Sequence, residues 1–272
     1  MAWSTDGILV SNVNPASGSA FSVLGDINPR NYWKASNAVG TTPITNLPDT
    51  GRIPKDMAPG VGMNLVGATN GYLAPNGTTQ YLKAGVAADW TWLSNGTPWT
   101  MGMVLHSVGL PGTGYLLATY DGGGANGGMI VYTGNGVSAS QWGVYAQIYK
   151  TALGFGLLIN FRTLAIANTH VIVVRMQPLD LNTATAPIPL GNRGEMWGDG
   201  TMQAYQPSNT GSLVGFSAAA PTGNGLYMFS NTTPATFSGV RLYECFLEDR
   251  IVPTNTIESY MQYAATLYGA VS

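Results

Sequence analysis

Short apolar segments recur along most of this chain, and Gly, Asn or Pro residues separate most of them. A dense series of short strands joined by turns is typical of a β-sandwich or a β-barrel. The sequence therefore predicts an all-β fold. The predicted strands cover residues 79–84, 99–107, 114–120, 128–133, 142–149, 155–161, 169–176, 200–205, 212–216, 225–229 and 237–247.

The residue pattern of two of these predicted strands also indicates their surroundings in the sheet. The segment from His170 to Val174 is apolar on both sides, which is typical of a central strand with both faces covered. In the segment from Val240 to Phe246, strict alternation puts Glu244 on the apolar face. Either Glu244 lies at an edge beside a partner, or a β-bulge shifts the register of this strand.

The end of the chain carries its clearest amphipathic helix, predicted over residues 255–268. Thr254 or Asn255 can cap the N-terminus, Glu258 is placed for a capping box, and Gly269 suits a left-handed C-terminal residue. Small or apolar residues recur at a spacing of three and four, which predicts one buried stripe. These residues are Ile257, Tyr260, Met261, Ala264, Ala265 and Tyr268.

The composition excludes several classes of protein. Charged residues make up 9% of the 272-residue chain, against roughly 25% in soluble globular proteins, while hydrophobic residues make up 45%, enough for a core. The net charge of −2 offers no basic patch, so no nucleic-acid partner is expected. No apolar stretch approaches the length of a membrane span, and the single Cys245 cannot form an intrachain disulfide.

Several segments, in their order along the chain, resemble the laminin G-like jelly-roll branch of the concanavalin A-like lectin and glucanase superfamily. The resemblance implies a two-sheet antiparallel jelly-roll sandwich with a short C-terminal helix that covers an open edge. The segments are APNGTTQYLKAG (74–85), PWTMGMVLHS (98–107), YLLATYDGGGANGGMIVYTGNG (115–136), NTHVIVVRM (168–176) and FSGVRLYECFLEDRIVPTNTIESYMQYAATLYG (237–269).

The N-terminal part of the chain is polar and weakly patterned. We predict that residues 1–30 form an arm or a loosely attached segment, and that residues 31–272 form one sandwich domain. The first residues lack a basic region followed by an apolar stretch, so no secretion signal is predicted.

The carboxylates do not show the pattern of a glucanase site. Glucanases of this superfamily use a Glu-x-Asp-x-Glu triplet, which places the side chains on one side of a strand. This chain has no such triplet. Phe246 lies between Glu244 and Glu248, while Glu195 and Asp199 occur in a segment that is typical of a turn.

The sequence also gives little indication of nucleophilic catalysis or metal binding. His106 and His170 lie in apolar strands, where a hydrogen-bonded structural histidine is expected, and no spacing pairs either with Cys245. Asp121 supplies a single carboxylate before a Gly-rich turn, whereas a hard cation needs several oxygen ligands. We therefore predict no catalytic residue, no metal, no cofactor and no enzymatic activity.

Aromatic residues beside Gly-rich turns are the candidates for a binding or interface site, because their rings combine an apolar body with a polar edge. Packing inside the sandwich is the alternative for each of them. For the cluster of Trp90, Trp92 and Trp99, packing is expected for at least two. The candidate site residues are Trp142, Tyr145, Trp197 and Tyr205.

Low charge and a surface rich in Gly, Thr and Asn favour a non-enzymatic structural protein of a bacteriophage virion, as a head decoration or a tail-fibre component. Its expected partners are other virion proteins, copies of itself and, on a cell surface, polysaccharide. It would be made in the host cytoplasm. The alternatives are a carbohydrate-binding lectin-like module, which would be extracellular, and an atypical glycan hydrolase.

Overall fold

Two antiparallel β-sheets pack face to face in the computed structural model, so the fold is a jelly-roll sandwich with one C-terminal helix. The structure describes residue 27 and residues 29–35, 57–59, 71–75, 81–119, 126–151, 154–177, 194–205, 225–230 and 239–271. Within these ranges no helix is long and apolar enough to cross a membrane.

The first sheet has six strands in the order β1-β13-β4-β9-β10-β11. Its strands are β1 (Asn31–Lys34), β4 (Trp99–Ser107), β9 (Thr169–Met176), β10 (Gly194–Gly198), β11 (Thr201–Tyr205) and β13 (Val240–Glu248). As predicted, β9 is central, and all eight of its residues are buried.

The second sheet has seven strands in the order β2-β3-β12-β5-β6-β7-β8. Its strands are β2 (Met57–Pro59), β3 (Leu82–Ala84), β5 (Gly114–Ala118), β6 (Asn126–Asn135), β7 (Gln141–Thr151), β8 (Gly154–Ala165) and β12 (Leu226–Met228). A 3-10 helix (Ala87–Leu93) precedes β4 and packs Trp90 and Trp92 into the core.

The main core fills the space between the sheets, where alternate residues of each strand point inward. On β4 these are Met101, Met103 and Leu105, and they meet Val144, Ala146 and Ile148 of β7 in the same core cluster. Trp90, Trp92 and Trp99 are all buried, in agreement with the expectation of packing.

The C-terminal helix α1 (Thr254–Tyr268) packs on the outer face of the six-stranded sheet. Ile257, Met261 and Ala264 are buried, as predicted. The expected position over an open sheet edge is wrong, because the helix residues cluster with Val171 and Val173 in the middle of the sheet. A second apolar layer therefore lies outside this sheet, which explains why β9 is apolar on both sides.

The ends of α1 agree with the sequence only in part. Gly269 has a left-handed conformation with φ of 63°, as predicted. The capping prediction is wrong, because the helix starts one residue earlier, behind Pro253, and no side chain caps it. The backbone N–H of Ile257 donates to the Pro253 carbonyl at 3.1 Å and closes the first turn.

A β-bulge in β13 resolves the position of Glu244. The register against β4 shifts between Leu242 and Glu244. Because one residue is added there, Leu242 and Cys245 both point into the main core, whereas Glu244 and Phe246 point toward α1. The predicted bulge is present, and the carboxylate also has partners.

Several elements were not predicted, and some predictions lie outside the described residues. The sequence patterns missed β1, β2, β10 and the 3-10 helix. The strand predicted at 212–216 and most of the predicted arm at 1–30 lie outside the described residues. At the end of that arm, Ile27 is buried beside α1, and Arg30 forms an ion pair of 2.7 Å with Asp249.

Candidate functional site

The outer face of the seven-stranded sheet carries a row of tyrosines. Tyr115 of β5, Tyr132 of β6 and Tyr145 of β7 are successive Cα partners across three strands, and Asn160 of β8 continues the row. Neighbouring strands lie about 4.8 Å apart, so the four positions span about 14 Å. All four side chains are partly exposed.

This row borders a small apolar patch. Ala118 and Ile130 form the patch, and Tyr115, Tyr132 and Tyr149 pack against it. We call the surface made by Tyr115, Tyr132, Tyr145 and Tyr149, together with the buried Tyr227 that pairs with Ala118, the tyrosine face. Ala118 and Ile130 are buried beneath these rings, so the partly exposed rings themselves form the surface. Since exposed aromatic rings can stack on the apolar side of a sugar, the tyrosine face is the candidate functional site.

The rings of Tyr132 and Tyr145 stack on each other, with centroids 5.0 Å apart and an interplanar angle of 13°. The backbone at Gly134 makes this arrangement possible. A Cβ atom built at Gly134 would lie 2.7 Å from the Tyr145 ring, so a larger residue there would displace the ring. The missing side chain at Gly134 therefore leaves the space that the Tyr145 ring occupies.

Hydrogen bonds fix one end of the row to the turn that follows β6. The Tyr145 hydroxyl donates to the Asn135 carbonyl at 2.9 Å. Nε of Arg162 donates to the same carbonyl at 3.2 Å, and Nη2 donates to the Gly136 carbonyl at 3.0 Å. Tyr145 and Arg162 are thus oriented by the same short segment.

Polar groups lie among the rings along β7. The Tyr149 hydroxyl donates to Oε1 of Gln147 at 3.2 Å. Burial, followed by the nearby Tyr145 and Tyr115, raises the pKa of the Tyr132 phenol. A tyrosine phenol is protonated near neutral pH in any case, and the raised pKa of Tyr132 extends its ability to donate a hydrogen bond to more alkaline pH.

Of the four candidate site residues from the sequence, the structure brings only Tyr145 to the tyrosine face. Trp142 is fully buried between the sheets, where its Nε1 donates to the Ala165 carbonyl at 3.3 Å. Trp197 is 3% exposed, and the Arg175 guanidinium covers its ring at 4.3 Å. Both tryptophans therefore have packing roles in place of the predicted surface role. Tyr205 ends β11, and its side chain lies outside the described part.

The sequence patterns also missed Tyr115, Tyr132 and Tyr149, although a signal was present. On β6, Met129 and Val131 point inward, so Tyr132 must point outward with Ile130. On β7 the same alternation gives Tyr145, Gln147 and Tyr149 one side of the strand. The docking position of α1 decides which of the two sheets has a covered outer face. This position depends on the tertiary fold and cannot be predicted from the local sequence.

The carboxylates Glu244 and Glu248 are both fully buried. Oε2 of Glu244 accepts hydrogen bonds of 2.7 Å from both Tyr32 and Tyr268. Burial raises its pKa, although the hydroxyl donors oppose this shift. Glu248 is fully buried and accepts bonds of 2.7 Å from the Arg30 backbone N–H and from Nε of Arg250.

The sequence predicted a turn at Glu195. The structure instead places Glu195 in the buried strand β10. Glu195 forms an ion pair with Arg175, whose Nη1 also donates to the Val252 carbonyl at 2.9 Å. This pair ties the segment before α1 to the sheet. Asp199 does lie in the turn after β10, with a left-handed φ of 52°.

Both histidines have hydrogen-bond partners, as expected of structural histidines. His170 is buried, with Nδ1 2.7 Å from Oδ2 of Asp199 and Nε2 2.6 Å from the Ala165 carbonyl. Nδ1 of His106 lies 3.1 Å from Oγ1 of Thr169. Cys245 is buried in the main core, and this burial raises the pKa of its thiol. Among the described side chains, no group of three or more His, Cys, Asp or Glu residues is placed to hold a metal ion.

No protein-family model matches the sequence, and no curated protein resembles it. Similar solved structures include a Trypanosoma rangeli sialidase in complex with 2,3-difluorosialic acid, with a TM-score of 0.56 and 14% identity over 89% of this chain. This chain spans about a third of the sialidase chains that it matches. A structure of botulinum neurotoxin type C matches 88% of this chain and 51% of the toxin chain, with a TM-score of 0.53 and 8% identity.

These similarities support the β-sandwich fold. They also correct one functional prediction. The expectation that the chain is not an enzyme is contradicted, because the first of the similar structures are sialidases. The absence of a glucanase triplet excludes only one arrangement of carboxylates, and it was too narrow a ground for excluding enzymes in general.

Proposed function

We propose that this chain is a glycan-binding module and that the tyrosine face binds the glycan. The observation that carries the proposal is the in-register row of Tyr115, Tyr132 and Tyr145 on an outer sheet face. In this arrangement each ring offers apolar area at low conformational cost, and each hydroxyl offers a polar contact. Asn160 and Arg162 add polar groups at one end.

The two sheets differ in a way that favours this site. On the six-stranded sheet, α1 covers the outer face with an apolar layer, and that face is part of the folded core. On the seven-stranded sheet, the outer face carries four partly exposed tyrosines, Tyr115, Tyr132, Tyr145 and Tyr149. Partly exposed rings that are already held by stacking and hydrogen bonds lose little freedom when a ligand binds, which reduces the cost of binding.

Two of the similar structures agree with this proposal. The botulinum neurotoxin depends on interaction with two ganglioside molecules to enter cells, and the sialidase structure contains 2,3-difluorosialic acid. Gangliosides and 2,3-difluorosialic acid are glycan ligands or parts of such ligands. We therefore develop the lectin-like alternative that the sequence analysis left open. The virion location, the virion partners and self-assembly stay predictions from composition.

Replacing Tyr132 by Ala is expected to weaken glycan binding by about five- to tenfold, since this is the factor that corresponds to a lost ring contact of about 1–1.5 kcal/mol. The measurement is binding to a panel of immobilised oligosaccharides that contains lactose, sialyllactose and bacterial surface polysaccharides. Tyr145→Ala should act in the same direction.

The matched control is Tyr72→Ala, which removes a partly exposed tyrosine that packs against Tyr243 and Arg241 on the other side of the protein. This variant should bind like the wild type. The proposal fails if the wild-type protein binds no member of the panel, or if Tyr72→Ala weakens binding as much as Tyr132→Ala in variants that melt at the wild-type temperature.

A further inference from the structure

The two sheets carry different charges. The described strands of the seven-stranded sheet contain Lys83, Lys150 and Arg162 but neither Asp nor Glu. The acidic residues of the described chain lie elsewhere, on the six-stranded sheet, in the turn after β10, in and before α1, or in the 3-10 helix. They are Asp89, Glu195, Asp199, Glu244, Glu248, Asp249 and Glu258.

Arg162 shares a hydrogen-bond acceptor, the Asn135 carbonyl, with Tyr145 of the stacked pair. It lies on β8 two residues after Asn160, so both point to the side of the tyrosine face. Nε and Nη2 are held by the carbonyls of Asn135 and Gly136. Within the described part of the chain Nη1 has no hydrogen-bond partner, and the side chain is partly exposed. One edge of a fixed guanidinium therefore remains available beside Tyr145.

Arg162 lacks the carboxylate partner that three of the other described arginines have. Arg30, Arg175 and Arg250 each form an ion pair with a carboxylate. Arg162 donates only to backbone carbonyls, and no described carboxylate pairs with it. At the other end of the face, Nζ of Lys83 lies 5.7 Å from the centre of the Tyr227 ring. The tyrosine face thus lies between two cations.

We propose that the glycan bound by the tyrosine face is anionic and that its carboxylate or sulfate group binds Arg162. This inference rests on the proposed function. Arginine is suited to this contact because its planar guanidinium matches a carboxylate or sulfate and keeps its charge at all physiological pH values. The sugar ring of the same residue would pack against Tyr145, which the shared Asn135 carbonyl holds next to Arg162.

Three ligands with a common core test the inference: lactose, sialyllactose and sulfated lactose. Isothermal titration of the full chain should give binding of at least one acidic derivative about tenfold tighter than lactose at low salt. Added salt should reduce this difference, because exposed charges are screened. Preference for the sialylated form identifies a carboxylate as the ligand group, and preference for the sulfated form identifies a sulfate.

Arg162→Gln should abolish the preference for the acidic ligand, so that the acidic derivative and lactose bind this variant with affinities within about twofold of each other. Arg162→Lys keeps the charge without the paired donors and should retain part of the preference, which covers the case in which Arg162→Gln folds poorly. The control is Arg241→Gln, which removes an arginine that lies over Tyr72, away from the tyrosine face.

The outcomes separate the two proposals. Equal affinity for all three ligands in the wild type would overturn the anionic ligand and leave the glycan-binding proposal in place. An acidic preference that survives in Arg162→Gln would overturn the assignment to Arg162. If none of the three ligands, and no member of the wider panel, binds the wild type, the proposed function itself fails.

Discussion

Replacing Glu244 by Ala is expected to lower the free energy of unfolding by about 3–5 kcal/mol, since a buried hydroxyl without a partner costs about 1–3 kcal/mol and the lost side chain leaves a cavity. The carboxylate of Glu244 accepts hydrogen bonds from Tyr32 of β1 and Tyr268 of α1, so it joins three elements at one point. Urea denaturation at neutral pH measures the loss.

Glu244→Gln is the matched comparison, because the amide keeps the shape and one oxygen acceptor. It should be at least as stable as the wild type at neutral pH. Burial disfavours the charged form of the Glu244 carboxyl, which is why its pKa is raised. The amide of Gln carries no charge, so it avoids this cost at neutral pH.

The pH dependence follows from the raised pKa of Glu244. The folded state holds this proton more tightly than the unfolded state, in which the pKa is about 4.3. The stabilisation is therefore complete below the unfolded pKa and decreases as the pH rises toward the folded pKa. Relative to Glu244→Gln, the wild type should lose stability as the pH rises above the unfolded pKa of about 4.3. A difference that does not change as the pH rises, or an Ala variant as stable as the wild type, would contradict this account of the carboxylate.

Replacing Ile257 by Ala is expected to cost about 2–5 kcal/mol of unfolding free energy, the usual range for truncating an enclosed aliphatic side chain. Ile257 is fully buried in the layer between α1 and the six-stranded sheet. In the same layer the Tyr260 and Phe246 rings meet edge to face, with centroids 5.0 Å apart. The truncation should therefore loosen the docking of α1 as a whole.

Gln262→Ala provides the control for this prediction, since Gln262 lies on the exposed side of the same helix. Thermal and chemical denaturation of the two variants should differ by most of the predicted loss. If Ile257→Ala were as stable as Gln262→Ala, α1 would not be packed on the sheet as the structure shows.

The elements that the sequence predicted well are those whose signal is local. The strands β4 and β9 have the predicted bounds, because each is a long apolar segment between turn residues. The helix α1 follows from the spacing of Ile257, Met261 and Ala264. By contrast, β10 was missed because its GEMWG sequence has no alternation, and its strand conformation depends on pairing with β9 and β11.

The candidate site was predicted less well for a related reason. Exposure of an aromatic residue depends on which side of a sheet another element covers. Trp142 has the local features of a surface ring, with Gly143 beside it, but its strand points it into the main core. Tyr132 is surrounded by apolar residues in the sequence, yet it points outward from β6. Among the candidates whose side chains the structure describes, only Tyr145 combined a suitable local sequence with the outward direction.

The most direct test of the central claim is to locate the bound glycan on the protein. Two-dimensional ¹H–¹⁵N spectra of the labelled full chain, recorded during titration with lactose and with sialyllactose, would report every perturbed backbone amide. The account predicts that the perturbed amides cluster on β5 to β8 around Tyr115, Tyr132, Tyr145 and Asn160. Perturbations confined to α1 or to the turn between β10 and β11, or spectra that do not change with either ligand, would contradict it.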